Sequence, residues 1–116
     1  MTRIYHNPRC SKSRATLSLL VDQGIEVETV HYLDNPPDAE TLRSITAVLD
    51  CSIHDIMRKG EKVYKDLGIA NGELDEDSLI NTVVDNPILL ERPIVVHDGR
   101  AAIGRPPEAV LSLFSS

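Results

Sequence analysis

The chain has 116 residues, which suits one domain, and 41% of them are hydrophobic, an ordinary fraction for a globular core. A net charge of −6 disfavours nucleic acid as the main partner. No apolar run approaches the roughly 20 residues that span a bilayer, and the N-terminus carries no apolar stretch of signal-peptide type. We therefore expect a cytoplasmic protein that binds neither nucleic acid nor membrane.

Positive charge is concentrated at the start of the chain. The first 21 residues hold four of the 12 basic residues and none of the 18 acidic ones. A local basic region in an acidic protein suits a small anion. A solvated basic face is an equally good interpretation of the charge alone.

The first segments in chain order predict a strand, a helix and a second strand. Arg3–His6 has the pattern of a short strand that ends at the turn signal Asn7-Pro8. Ser11–Gln23 is a predicted helix that Gly24 stops, and Val27–Leu33 is a predicted β-branched strand. The apolar face of the helix is predicted to be Leu17, Leu20 and Val21. Strand–helix–strand implies a parallel pair of strands.

The middle of the chain is predicted to be helical. Pro36-Pro37-Asp38 opens a helix with apolar residues at helical spacing, namely Leu42, Ile45 and Leu49. Shorter helices are predicted at Ile53–Arg58 and Lys62–Leu67, and Asp75 is a predicted N-cap. The inward residues of the helix after Asp75 are predicted to be Leu79, Ile80 and Val83.

The C-terminal part predicts a hairpin and a last helix. Ile94–Val96 and Ala101–Ile103 flank Asp98-Gly99, which is a strong hairpin signal. Pro106-Pro107 begins a helix whose apolar residues are Val110, Leu111 and Phe114. The order βαβ, helices, ββα indicates a thioredoxin-like α/β fold with a mixed four-stranded sheet. We expect one domain over residues 1–116, with a helical insert at about 38–86 because the middle helices cannot all cover the sheet.

Cys10 lies where the first predicted strand gives way to a helix. Free N–H groups and the helix dipole stabilise a thiolate at that position, and the same N–H groups can cradle an oxyanion. Residues that can add positive potential are His6, Arg9, Lys12 and Arg14. Cys10 and Ser13 form a one-thiol C-x-x-S pattern, which needs an external thiol to complete turnover. The alternative, a small buried hydrophobe, fits poorly with the polar and basic flank.

Cys51 follows an apolar helix in a segment without a basic cluster, so structural burial is the favoured interpretation. Two cysteines form neither a disulfide framework nor a four-ligand zinc site, and no nucleotide-binding glycine motif is present; we therefore expect no metal and no bound cofactor. His6 either tunes or orients Cys10, or only hydrogen-bonds the loop. No role is assigned to the remaining histidines, which are His31, His54 and His97.

The segment HNPRCSKSR at residues 6–14 resembles the glutaredoxin-coupled arsenate reductases, the ArsC family, which share a fold with the Spx regulators. The similarity extends over nearly the whole chain. Further matching segments are Tyr32–Pro37, Met57-Arg58-Lys59, Asn86–Val96 and Gly104-Arg105-Pro106. The RCSKSR form of the loop resembles a shorter subgroup of the family.

The resemblance implies a role for particular side chains. Cys10 matches the family's nucleophile. The three arginines that match the oxyanion-binding positions are Arg58, Arg92 and Arg105. The residues that match positions supporting the thiolate are His6, Ser13 and Arg14. The Arg92–Pro93 bond resembles the cis-proline joint that thioredoxin-like folds place beside the active thiol.

The implied reaction is the reduction of arsenate to arsenite by the Cys10 thiolate, completed by glutathione as co-substrate and by glutaredoxin, with no bound cofactor. One alternative is a general glutathione-dependent thiol oxidoreductase that acts on oxidised substrates. Another is an Spx-like module that contacts RNA polymerase. His6 together with all three arginines favours catalysis, because Spx proteins carry a differently composed loop without the full arginine set.

Overall fold

The computed structural model describes residues 2–114 and has the predicted thioredoxin-like α/β fold. Its four-stranded sheet has the order β2-β1-β3-β4. The strands are β1 (Thr2–His6), β2 (Glu28–His31), β3 (Ile94–His97) and β4 (Arg100–Ile103). β1 pairs in parallel with β2 and antiparallel with β3, and β3 pairs antiparallel with β4. The predicted βαβ and ββα halves are thus joined through a β1–β3 pair.

Helices of two kinds occur along the described chain. The α-helices are α1 (Ser11–Asp22), α2 (Ala39–Leu49), α3 (Lys62–Asp66) and α4 (Glu76–Asp85). The 3-10 helices are Ile53–Ile56, Ile69–Asn71, Pro87–Leu89 and Pro107–Phe114. The predicted last helix is therefore present but of the 3-10 type. Between Thr2 and Phe114, no helix combines the length and the apolar character that crossing a membrane requires.

Aspartate caps fix the starts of two helices in the middle of the chain. Asp38 accepts a hydrogen bond from the Thr41 backbone N–H at 2.8 Å, and Asp75 accepts one from Ser78 at 2.8 Å. Each carboxylate satisfies an N–H group that the first helical turn leaves without a partner. The predicted cap at Asp75 is confirmed.

Contacts divide the described chain into two compact units. One unit contains the described residues of Met1–Asn35 and Arg92–Ser116 and holds the sheet and α1. The other, Pro36–Glu91, holds α2, α3 and α4 and includes the region predicted as a helical insert. That the chain forms one domain stays a prediction.

The core of the sheet unit differs from the sequence prediction on one helix face. Its buried cluster consists of Ile4, Leu20, Val95, Val110 and Leu113. Val21, predicted to face inward, is 59% exposed. Ser13 and Thr16 occupy the buried face instead. Both hydroxyls form hydrogen bonds, Ser13 with Asn7 and Thr16 with the Lys12 carbonyl, so their burial carries little penalty.

The β3–β4 turn has the geometry that its sequence predicts. Asp98 and Gly99 both adopt positive φ angles, 48° and 78°. A two-residue turn of this kind matches the twist of the flanking strands, and aspartate and glycine tolerate the left-handed region. The hairpin brings the residues before β3 and after β4 to the same end of the sheet.

Candidate active site

The predicted site residues of the sheet unit lie at one end of the sheet. Tyr5 near the end of β1 lies opposite Ile94, the first residue of β3, and Ile94 lies opposite Ile103, the last residue of β4. The loop that follows β1 therefore lies beside the segment that precedes β3 and the segment that follows β4. Those segments carry Cys10, Arg92, Pro93 and Arg105.

The loop after β1 is held by its own hydrogen bonds. The Asn7 carbonyl accepts from the Cys10 N–H at 3.0 Å, and the Asn7 side-chain oxygen accepts from the Arg9 N–H at 3.0 Å. Asn7 is only 4% exposed. The sequence indicated a turn here but not this structural role, although asparagine commonly hydrogen-bonds the backbone two residues ahead.

Cys10 is the N-cap residue of α1, and its carbonyl accepts from the Arg14 N–H at 3.0 Å. Partial burial by itself raises the pKa of the Cys10 thiol. The backbone N–H groups of Ser13 and Lys12, together with the hydrogen bond and charge of the Arg92 guanidinium, outweigh burial, so the pKa is lowered from its ordinary value. The thiolate that the sequence predicts at this helix end is therefore favoured.

Arg105 approaches the thiol directly. Its Nη2 atom lies 3.6 Å from Cys10 Sγ, and its Nε donates to the Arg92 carbonyl at 2.8 Å. The second bond fixes the guanidinium, so a positive group with several N–H donors faces the sulfur. Such a group can bind two oxygens of a tetrahedral oxyanion at once.

Pro93 and Gly104 bring the two arginine segments together. The Arg92–Pro93 bond is cis, as is Arg105–Pro106, which the sequence did not indicate. The Gly104 N–H donates to the Pro93 carbonyl at 2.9 Å. A Cβ at Gly104 would lie 2.7 Å from Pro93 Cγ and would also contact Thr16 Oγ1, so only glycine allows this approach.

His6 and Ser13 form a buried polar pair behind the loop. His6 Nδ1 lies 2.7 Å from Ser13 Oγ, and the same oxygen accepts from the Asn7 N–H at 3.0 Å. Burial, followed by the charges of His31 and Arg14, lowers the pKa of His6. Because its pKa is lowered, His6 carries a positive charge over less of the pH range than an ordinary histidine, which makes it a weaker source of the positive potential considered from the sequence. Its predicted support of the thiolate would act through Ser13 and the loop.

Arg14 contacts the loop rather than the sulfur. Its Nη1 donates to the Pro8 carbonyl at 2.9 Å, on the exposed side of α1. The contact anchors the loop to the first turn of the helix. Its predicted support of the thiolate stays a prediction, and this contact makes it an indirect one.

Arg58 belongs to the helical unit and is bound there by two carboxylates. Its Nε lies 3.0 Å from Glu61 Oε1, and its Nη1 lies 3.1 Å from Glu91 Oε1. Its backbone N–H donates to the Leu89 carbonyl at 2.6 Å. The segment is thus well ordered by contacts within the unit, and the predicted oxyanion role of Arg58 stays a prediction.

Cys51 has the opposite environment to Cys10. Burial and then the negative charges of Asp55, Glu76 and Asp50 raise the pKa of its thiol. The side chain is partly exposed and not fully buried as the sequence predicted; Cys51 directly follows Asp50, the left-handed residue that ends α2. Among residues 2–114, histidine, cysteine, aspartate and glutamate form no cluster of three or more that could hold a metal ion.

Known proteins are similar to this chain in both sequence and fold. Residues 5–113 match the family model described as ArsC family. A protein of Escherichia coli strain K12, uncharacterized protein YfgD, is 54% identical over 112 residues, covering 96% of this chain and 94% of that protein. An arsenate reductase of Neisseria meningitidis serogroup B is 51% identical over 109 residues, covering 93% of each chain. The solved structure of an arsenate reductase from Vibrio cholerae has a TM-score of 0.94 at 43% identity, covering 97% of this chain and 96% of that one. Because the family model and these relatives cover nearly its full length, the chain belongs to the ArsC family.

Proposed function

We propose that this protein reduces arsenate to arsenite and that Cys10 is its nucleophile. The observation that carries the proposal is the placement of the Cys10 sulfur at the N-terminus of α1 with Arg105 Nη2 at 3.6 Å. A thiolate and an oxyanion are both negative, so their reaction needs positive groups that serve both. The arsenate reductase from Neisseria meningitidis, 51% identical, supports arsenate as the oxyanion.

The first step joins the thiolate to arsenic. Arg105 and Arg92 bind arsenate oxygens and reduce the repulsion between the two anions. The Cys10 thiolate attacks the arsenic atom, an S–As bond forms, and one arsenate oxygen leaves as water after protonation. Arsenic is still As(V) at this point. Arg58 is proposed, by the family resemblance, as a third oxyanion ligand.

External thiols complete the cycle. Glutathione attacks the arsenic of the adduct and displaces a second oxygen as water, giving an arsenic atom bonded to both sulfurs. A glutaredoxin thiolate then attacks the glutathione sulfur, and the electron pair of the broken S–As bond reduces As(V) to As(III). Hydrolysis releases arsenite and regenerates Cys10, and glutaredoxin keeps glutathione as a mixed disulfide. We infer that the reaction takes place in the cytoplasm, because glutathione and glutaredoxin are kept reduced in that compartment.

His6, Ser13 and Arg14 are proposed as positioning residues. The hydrogen bonds of Ser13 to His6 and Asn7, and that of Arg14 to Pro8, fix the loop that carries Cys10 against the first turn of α1, whose N–H groups face the thiolate. Pro93 is proposed to help place Arg92 beside Cys10, and its carbonyl accepts from the residue before Arg105. These residues act on catalysis by keeping donors in place before the substrate binds.

The proposal is tested by arsenate-dependent NADPH oxidation in the presence of glutathione, glutathione reductase and glutaredoxin. Wild-type protein is expected to oxidise NADPH only when arsenate is added. Cys10→Ser should abolish the activity, whereas the matched control Cys51→Ser should retain it. A fully active Cys10→Ser protein would overturn the proposal.

The same assay separates the alternative functions. A general thiol oxidoreductase would turn over a glutathionylated substrate without arsenate, and arsenate would not stimulate it. An Spx-like binding module would show neither activity. Turnover that depends on arsenate and on Cys10 excludes both alternatives as the main function.

A further inference from the structure

A recess opens beside the loop that carries Cys10, on the other side of β1 from Arg92 and Arg105. It has a volume of about 330 Å³ and is lined by the loop residues Asn7–Arg9 and by residues at the carboxyl ends of β1 and β2, which are His6, His31, Leu33 and Asp34. His6 and His31 lie opposite each other in the parallel β1–β2 pair. Because the sheet order is β2-β1-β3-β4, this β2-side cavity and the arginines that flank β3 and β4 lie on different sides of β1.

The walls of the β2-side cavity offer charges of both signs together with one apolar surface. Arg9 and Asp34 are exposed, and Leu33 is 37% exposed. Within residues 2–114, the guanidinium of Arg9 and the carboxylate of Asp34 take part in no ion pair or side-chain hydrogen bond. The rings of His6 and His31 meet edge to face, with centroids 5.8 Å apart. A ligand that carries both a carboxylate and an ammonium group would complement these walls.

We propose that the β2-side cavity binds the thiol co-substrate, a small peptide thiol with carboxylate and ammonium ends, of which glutathione is the chemical type. This inference rests on the proposed function and assigns a binding site to its second substrate. Arg9 binds a carboxylate of the peptide, since its planar fork matches two carboxylate oxygens. Asp34 receives the ammonium group, and Leu33 packs against the aliphatic part of the peptide.

The position of the cavity fits the order of the reaction. Arg105 approaches the sulfur from the segment that follows β4, so the bound oxyanion lies on that side. Arg9 is the residue directly before Cys10, and the Cys10 N–H is bonded to Asn7, another residue of the cavity wall. A thiol held by Arg9 and Asp34 would therefore approach the arsenic adduct from the β2 side, away from Arg92 and Arg105.

The cavity is tested without arsenate by measuring the glutathionylation of Cys10 by oxidised glutathione. The Cys10 thiolate attacks one sulfur of the disulfide, a Cys10–glutathione disulfide forms, and glutathione leaves as a thiolate. The same rate is measured with bis(2-hydroxyethyl) disulfide, which carries no charge. The ratio of the two rates reports peptide binding separately from the reactivity of the thiol.

Arg9→Ala and Asp34→Asn are each expected to lower this ratio about tenfold, the effect of losing one charge-assisted hydrogen bond. Arg3→Ala removes the same charge from a residue of β1 that is ion-paired with Glu28 and should leave the ratio unchanged. An unchanged ratio in both cavity variants overturns the proposal. An equal slowing with both disulfides also counts against it, because it shows an effect on Cys10 alone.

The disulfide-rate test of the thiol site and the arsenate assay of the proposed function can fail independently of each other. If wild-type protein fails to reduce arsenate but the ratio still depends on Arg9 and Asp34, the arsenate reaction is refuted and the thiol site stands. If arsenate is reduced and the ratio does not change in the variants, the thiol site is refuted and the arsenate reaction stands.

Discussion

Removing the Ser13 hydroxyl should weaken the loop that presents Cys10. Ser13 is fully buried, and its oxygen accepts from the Asn7 N–H at 3.0 Å and lies 2.7 Å from His6 Nδ1. Ser13→Ala leaves the buried Asn7 N–H without this acceptor, which destabilises by about 1–3 kcal/mol. The higher helix propensity of alanine offsets about 0.5 kcal/mol. We expect a net loss of about 0.5–2.5 kcal/mol, which lowers Tm by about 2–15 °C.

Ser18→Ala is the matched control, because Ser18 lies in the same helix and its side chain is exposed. Thermal unfolding of the two variants and of the wild type measures the stability difference. The pH midpoint of Cys10 alkylation should also rise in Ser13→Ala, because the loop that carries Cys10 is then held less firmly against the Ser13 and Lys12 N–H groups that lower the pKa of Cys10. A Ser13→Ala protein with the stability and midpoint of Ser18→Ala would refute the reasoning.

Further predictions concern the arginines and the two thiols. Replacing Arg58, Arg92 or Arg105 by alanine should lower the rate of arsenate reduction on the order of 10²–10³-fold. Sulfate should also compete less with arsenate in these variants. Arg105→Lys should restore activity only in part, because an ammonium lacks the bidentate fork. After reaction without glutaredoxin, mass spectrometry should find an adduct on Cys10 that contains both arsenic and glutathione, and no Cys10–Cys51 disulfide; an intramolecular disulfide formed at the turnover rate would contradict the one-thiol mechanism. The folded-state pKa of Cys10 is lowered, so ionisation of the thiol stabilises the folded protein. The difference in unfolding free energy between wild type and Cys10→Ser should therefore be largest above about pH 8.5 and should disappear as pH falls through the folded pKa.

Local sequence signals were sufficient to predict the order of the strands and α-helices, but not the 3-10 helices Ile69–Asn71 and Pro87–Leu89. Asn7-Pro8, Gly24 and Asp98-Gly99 interrupt the periodic segments, and the strands and helices of the structure lie between them. Element ends were less predictable. The strand predicted over Val27–Leu33 spans Glu28–His31, because the chain turns at once and the Asp34 N–H donates to the His31 carbonyl.

The position of Cys10 could be predicted because a strand-to-helix junction determines its environment locally. The hydrogen-bond partners of the polar side chains around Cys10 could not be predicted, because they depend on tertiary contacts. Ser13 replaces Val21 on the buried face of α1 because a hydrogen-bonded hydroxyl is tolerated there. Arg14 contacts Pro8 instead of the sulfur. Membership of the shorter RCSKSR subgroup stays a prediction.

The central claim is that Cys10 is a nucleophilic thiolate beside an oxyanion site. The most direct measurement is the rate of Cys10 alkylation by iodoacetamide across pH, with and without arsenate, in the Cys51→Ser background. We predict a midpoint well below the ordinary cysteine value of about 8.5, and protection by arsenate that weakens in Arg105→Ala. A midpoint at the ordinary value, together with no protection by arsenate, would contradict the account.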